Sequence, residues 1–145
     1  MRLELLGGFR VLTSGRKVTR LPGARQQELI AYLVLHARQA VPRQRVAGVL
    51  WANSTDAQAL TNLRRELHNV REAWPELDGL IDAAPRTVAW RAEMAAVDVL
   101  TFEALARQGL DGDRAALEDA SRLYTGDLLP DCASDWIEPD RQRLQ

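Results

Sequence analysis

Long hydrophobic runs are missing from this 145-residue chain. Its longest strongly apolar stretch, "LIAYLVLHA" at residues 29–37, falls well short of the roughly 18–20 residues that cross a bilayer, so no membrane association is expected. The opening "MRLELLGGFRVL" has no basic stretch leading into a long apolar region and a small-residue cleavage site, so no secretory leader is expected. Cysteine is almost absent. A single Cys132 excludes an internal disulfide and fits a reducing, cytoplasmic location; with no histidine near it in sequence, it reads as a plain small side chain. Histidine is scarce as well. His36 and His68 lie 32 residues apart, with no cysteine or carboxylate spacing that would make a metal site. Neither a glycine-rich phosphate loop nor a nucleophile elbow is present. "DGD" at 111–113 is followed by "RAALED" rather than by further oxygen ligands and a glycine, so helix capping by Asp111 or Asp113 accounts for it. No catalytic residue, metal or cofactor is expected, and the chain is not read as an enzyme.

What is present is charge, unevenly placed. The formal net charge is −1. Along the chain, however, residues 1–92 hold 14 Lys/Arg against 8 Asp/Glu, and residues 93–145 hold 5 against 12. A change from +6 to −7 suggests two surfaces with different partners, the basic one suited to a polyanion. At 46% apolar residues, the chain has enough to bury a core, as one domain or two small ones.

The patterning supplies the elements. "RLELLGGFRVLTSGRKVTRL" alternates weakly through Leu3, Leu5, Phe9, Val11 and Val18, with turns at Gly7-Gly8 and Ser14-Gly15, and predicts three short antiparallel strands. Leu29, Ile30, Leu33, Val34 and Ala37 then form the stripe of a helix over about 24–37. Pro42 suits the start of a second helix, "RQRVAGVLW", burying Val46, Val49 and Leu50 and ending near Trp51. Thr55 and Gln58 have capping-box spacing and open a third helix, about 56–73, stopped by Pro75. "GLIDA" and "TVAWR" flank the turn "APR" as a hairpin over 80–91. This order is a helix-turn-helix with a wing. Beyond Glu93, "DVLTFEALARQGL" is read as burying Leu100, Phe102 and Leu105 and stopping at Gly109. "DRAALEDASRLYTGD" is read as burying Ala116, Leu117, Ala120, Leu123 and Tyr124 and stopping at Gly126. Together they predict an antiparallel helical hairpin like one unit of a repeat array, with "SDWIEPDRQRLQ" starting another helix in a domain that is cut short. The fold class expected is α+β, a winged helix-turn-helix over 1–92 followed by an all-α, tetratricopeptide-like segment over 93–145.

The third helix carries the chemistry. On a helical wheel with Leu60 at zero, Leu63, Leu67, Val70 and Trp74 cluster between roughly 280° and 340°. Opposite them, between roughly 80° and 200°, fall Gln58, Thr61, Asn62, Arg65, His68, Asn69 and Glu72, with Arg64 and Arg71 on the shoulder. An idle surface helix mixes Glu and Lys at i, i+4 spacing. This one has no lysine, and its Arg, Asn and Gln are the side chains that pair with guanine and adenine through two bonds. Arg43 and Arg45 open the preceding helix, where phosphate is commonly held. Arg86 and Thr87 stand at the hairpin tip, placed for a minor groove or the backbone. The reading is a sequence-specific regulator of transcription on double-stranded DNA. Its rival is an interaction or dimerisation module whose winged helix no longer binds DNA.

These residues also resemble a family. "RLELLGGFRVL", "ARQQELIAYLVLHARQAVPRQRVAGVLW" and "NLRRELHNVREAW" resemble the N-terminal winged helix of SARP-type regulators, the actinobacterial antibiotic regulatory proteins and their larger relatives. "DVLTFEAL", "LYTGDLLPDC" and "DWIEPDRQRL" are similar to the start of the bacterial transcriptional activator domain that follows it there. The resemblance implies promoter binding, often by two protomers on direct repeats, with RNA polymerase recruited beside the site. Matched by position, it makes Arg65, His68 and Asn69 the central readers and puts the "ANSTDA" loop where response-regulator relatives meet polymerase. The wing differs, reading "APRTVAW" where many members have a Pro-Gly-Tyr turn.

Overall fold

A computed structural model describes residues 2–13, 16–17, 23–75 and 79–145. It divides into two compact units, one of Met1–Leu21 with Ala95–Gln145 and one of Pro22–Met94. The first is therefore discontinuous in sequence. It holds 10 Lys/Arg against 12 Asp/Glu, and the second 9 against 8. The charge asymmetry counted along the chain thus shrinks to −2 and +1 by unit, because the basic N-terminal strands group with the acidic helices.

In the discontinuous unit, β1 (Arg2–Glu4), β2 (Arg10–Thr13) and β3 (Arg16–Lys17) form the expected antiparallel meander. A strand not foreseen, β7 (Ala96–Val97), adds to β1 in parallel, giving the order β3-β2-β1-β7. Leu3 faces Val11 on one side and Val97 on the other, and all three are buried. Two residues are too few for a propensity signal, so only the pairing partner creates this strand. Val18 lies outside the described residues.

Beyond β1 the backbone is held by an antiparallel bridge between Leu6 and Leu128 and by side chains. The Asp98 carboxylate accepts from the N–H groups of Leu5 (2.8 Å) and Leu6 (2.9 Å). Gly7 N–H donates to the Asp127 carbonyl, Leu129 N–H to the Leu5 carbonyl, and the Thr125 hydroxyl to the Leu6 carbonyl. Gly7 has φ +82°, and a Cβ on it would lie 2.9 Å from the Thr125 Oγ. A Cβ on Gly126 would come as close to the Gly7 Cα. Gly126 leaves room for the Gly7 backbone, and Gly7 for its own positive φ and the Thr125 side chain.

Helices α4 (Asp98–Leu110) and α5 (Arg114–Leu123) pack on each other, as a helical hairpin should. Asp113 caps α5 by accepting from Ala116 N–H. Three details differ from the sequence reading. Helix α4 runs through Gly109 to Leu110, and Gly109 is buried against Leu117, whose Cγ would sit 2.2 Å from an added Cβ. This glycine allows helix packing rather than ending the helix. Leu117 is 44% exposed instead of buried. Leu100, Phe102, Leu105, Leu123 and Tyr124 are only half-buried. Helix α6 (Glu138–Leu144) follows a short 3-10 turn, Asp135–Ile137.

The second unit contains α1 (Ala24–Leu35), β4 (Val41–Pro42), α2 (Arg43–Leu50), α3 (Asp56–Ala73), β5 (Ile81–Ala83) and β6 (Thr87–Trp90). Its sheet has the order β4-β6-β5. Pro42, expected only as a helix starter, also closes an edge strand, where its missing N–H costs nothing. The α3 stripe of Leu63, Leu67, Val70 and Trp74 is buried as expected, joined by Ala59. In α2 the buried residues are Val46, Ala47 and Leu50, with Val49 half-covered. Leu80, Ile81, Val88 and Trp90 of the hairpin are all buried. Arg25 of α1 donates to the Leu50 carbonyl and lies over the Trp51 ring, tying α1 to the end of α2. Among the described residues, no helix is long and apolar enough to cross a membrane.

Candidate nucleic-acid interface

Helix α3 begins where Thr55 accepts from Gln58 N–H at 3.2 Å. The reciprocal half of the capping box does not form, because the Gln58 amide turns the other way and donates to Asn62 Oδ1 at 2.8 Å. Arg65 donates to the same oxygen at 3.3 Å. Gln58, Asn62 and Arg65 therefore form one cluster along one side of the helix, at i, i+4 and i+7.

The outer face is narrower than the wheel suggested. Gln58, Thr61, Arg65 and His68 are exposed, Asn69 is half-buried, and Asn62 is only 8% exposed. Asn62 falls at about 200°, the edge nearest Ala59 and the core, and Gln58 and Arg65 lie over it. The Thr61 hydroxyl donates back to the Ala57 carbonyl, which leaves its oxygen free to accept. The Arg65 guanidinium comes within 3.7 Å of Glu66 but stays 59% exposed, a surface pairing of little strength.

The other predicted basic residues gather beside the helix. Pro42, Arg43, Gln44, Leu60, Arg64, Pro85 and Arg86 line a cleft of about 620 Å³. It is enclosed by the start of α2, one shoulder of α3 and the hairpin tip. Arg43 is fixed there by two bonds to the hairpin turn: its N–H donates to the Arg86 carbonyl and its Nε to the Ala84 carbonyl, both at 2.9 Å. Burial lowers the Arg43 pKa, and the positive charges of Arg64 and Arg71 lower it further. Among the described residues, Arg64 and Arg86 make no ion pair, and no carboxylate lines the cleft.

The structure thus sorts the predicted residues. Arg43, Arg64 and Arg86 share the cleft; Gln58, Thr61, Arg65, His68 and Asn69 lie along the helix face; Asn62 is tucked beneath. Thr87 stands apart, half-buried on β6 where it pairs with Pro42. Arg45 does not join Arg43 and instead lines a second cleft with Asp56. Leu60 and Pro85, apolar walls of the arginine cleft, were missed. Nothing in a polar-residue search points to them, although Leu60 sits beside Arg64 on the wheel.

The fold is α+β: small sheets with a winged-helix-like region, and helices after it. No protein-family model and no curated protein sequence matches the chain. The solved structure of Mycobacterium tuberculosis EmbR in complex with a low affinity phosphopeptide is similar over 99% of this chain with a TM-score of 0.78 and 20% sequence identity. The chain spans 41% of the length of that EmbR chain. The likeness is one of fold.

Proposed function

We propose that this chain is a sequence-specific DNA-binding regulator of transcription of the SARP type. Helix α3 enters the major groove and the hairpin over 80–91 acts as the wing. The observation that carries the reading is the convergence of Arg43, Arg64 and Arg86 on one cleft, whose lining holds no carboxylate among the described residues, beside the exposed face of α3. A duplex presents the same pairing of needs, phosphates at the groove edge and base edges within it. Thr61, Arg65 and His68 are the readers, with Asn69 at the margin. The functional division lies near residue 92, with promoter DNA the partner of the first part. RNA polymerase, a second protomer on direct repeats and a cytoplasmic setting complete the proposal. The fold likeness to EmbR supports it without extending to residues.

Local charge supports this reading better than net charge does, since the unit Pro22–Met94 carries only +1. That small value, with Leu110 84% exposed on α4, favours the interaction module as the second reading. One experiment separates them. The purified chain is offered a random pool of duplex DNA, and binding to the recovered fragments is followed across a salt series. A regulator enriches a shared motif and loses affinity with a slope of about 0.9 log units for each phosphate contacted. An unenriched pool, or binding indifferent to salt, would sink the DNA reading.

A further inference from the structure

Asn62 offers both groups needed to pair with adenine, yet its position prevents that use. Adenine recognition takes the Asn oxygen as acceptor and the amide as donor together. Here Oδ1 already accepts from Gln58 Nε2 at 2.8 Å and from Arg65 Nη2 at 3.3 Å, and the residue is 8% exposed. Both donors belong to long, rotamer-rich side chains whose ordering on binding is costly. Both are exposed beyond the point where Asn62 holds them. Thr55 does not compete for the Gln58 amide, because only its hydroxyl takes part in the cap.

We infer that Asn62 is a positioning residue: its buried oxygen presets Arg65 and Gln58 for base recognition, and Asn62 itself touches no base. The inference rests on the DNA-reading function proposed above. Base contacts depend on side-chain direction, whereas phosphate contacts tolerate movement. Asn62 therefore governs discrimination between sequences rather than general affinity for DNA.

The test compares Asn62→Ala and Asn62→Asp with the unaltered chain on two duplexes, one selected from a random pool and one of scrambled sequence. For Asn62→Ala the ratio of the two dissociation constants falls about tenfold, the scale of one two-bond base contact. Its scrambled-DNA affinity and salt slope stay as they were. Asn62→Asp keeps the acceptor and holds the ratio within about threefold of the unaltered chain, because the charge it adds weakens both duplexes alike. Undiminished discrimination by Asn62→Ala overturns the inference, as does an equal loss on both duplexes. If the unaltered chain selects no sequence at all, the DNA reading has failed first, before any variant is made. Should Asn62→Ala not fold, the side-chain amide resonances of Gln58 in the free protein decide the matter. Shifted, slowly exchanging protons in the unaltered chain and in Asn62→Asp support the inference, and random-coil values overturn it.

Discussion

In the unit of Met1–Leu21 and Ala95–Gln145, arginines mostly end on acceptors of their own unit. Arg141 donates to the carbonyls of Leu128, Leu129 and Cys132 and pairs with Glu138. Arg143 joins Glu103 and Asp140, and Arg10 joins Glu4 and the Leu6 carbonyl. In the unit of Pro22–Met94, Arg64 and Arg86 face a cleft with no carboxylate among its described lining, and Arg65 leans on a neutral amide. The separation is not complete, since Arg25, Arg65 and Arg91 of the second unit are also paired with carboxylates. The difference follows from the backbone nearby. The irregular segment 125–132, with Leu129 at φ +38°, leaves carbonyls without a ladder partner, and a planar guanidinium can serve several at once. In α3 the helix satisfies its own carbonyls, and Arg64 and Arg65 stand exposed on its surface.

Four outcomes would break or sharpen that contrast. Leu67→Ala truncates the α3 anchor and costs about 2–5 kcal/mol in chemical denaturation, removing DNA binding with the fold. A well-folded variant would mean that α3 needs no core to hold its face. Arg141→Ala strands the Leu128 and Cys132 carbonyls, while that of Leu129 keeps the Cys132 N–H, and costs roughly 2–4 kcal/mol in the same measurement. Its scrambled-DNA binding, measured where it is folded, stays unaltered; weakened binding there would blur the two uses of arginine. Arg64→Ala reverses the pattern: stability holds, affinity drops on the order of threefold to tenfold, and the salt slope falls by about one contact. An unchanged slope would take Arg64 out of the phosphate contacts. The smallest effect is one of pH. Burial, aided by Glu4, raises the Asp98 pKa above its ordinary 3.8, against the pull of three backbone N–H donors. A raised folded-state pKa adds stability that is fully present below 3.8 and is lost as pH rises through the folded value. Asp98→Asn should therefore remove this fall with rising pH, so that stability climbs more steeply with pH on the acid side than in the unaltered chain. A curve parallel to the original would exclude that contribution.

Much of the second unit was legible before any coordinates. Period and capping placed α1, α2 and α3 because each buries a stripe of large aliphatic side chains along one face, and that spacing is written in residue order. The hairpin was equally clear from Leu80, Ile81, Val88 and Trp90 around a short turn. Strands β4 and β7 were not, since they exist only through the strands they meet. Burial in α4 and α5 was overestimated for a related reason. A helical wheel shows which face is apolar but not whether anything covers it, and Leu117 and Leu110 stand open. Of the candidate site, the residue types and the helix were readable; the cleft was not, because its lining comes from three separate elements.

Residue order alone settled the local matters: which segments are helices, which face of each is apolar, and that α3 carries arginine and amides where a solubilising helix would carry lysine. Those depend on neighbours within a turn or two, where sequence distance and spatial distance agree. Tertiary structure decided the rest. It grouped the basic N-terminal strands with the acidic helices, gathered Arg43, Arg64 and Arg86 from elements up to 43 residues apart, and covered Asn62 while leaving Arg65 in the open. Burial and net field are sums over everything nearby in space, and a chain read in order cannot say what will be nearby.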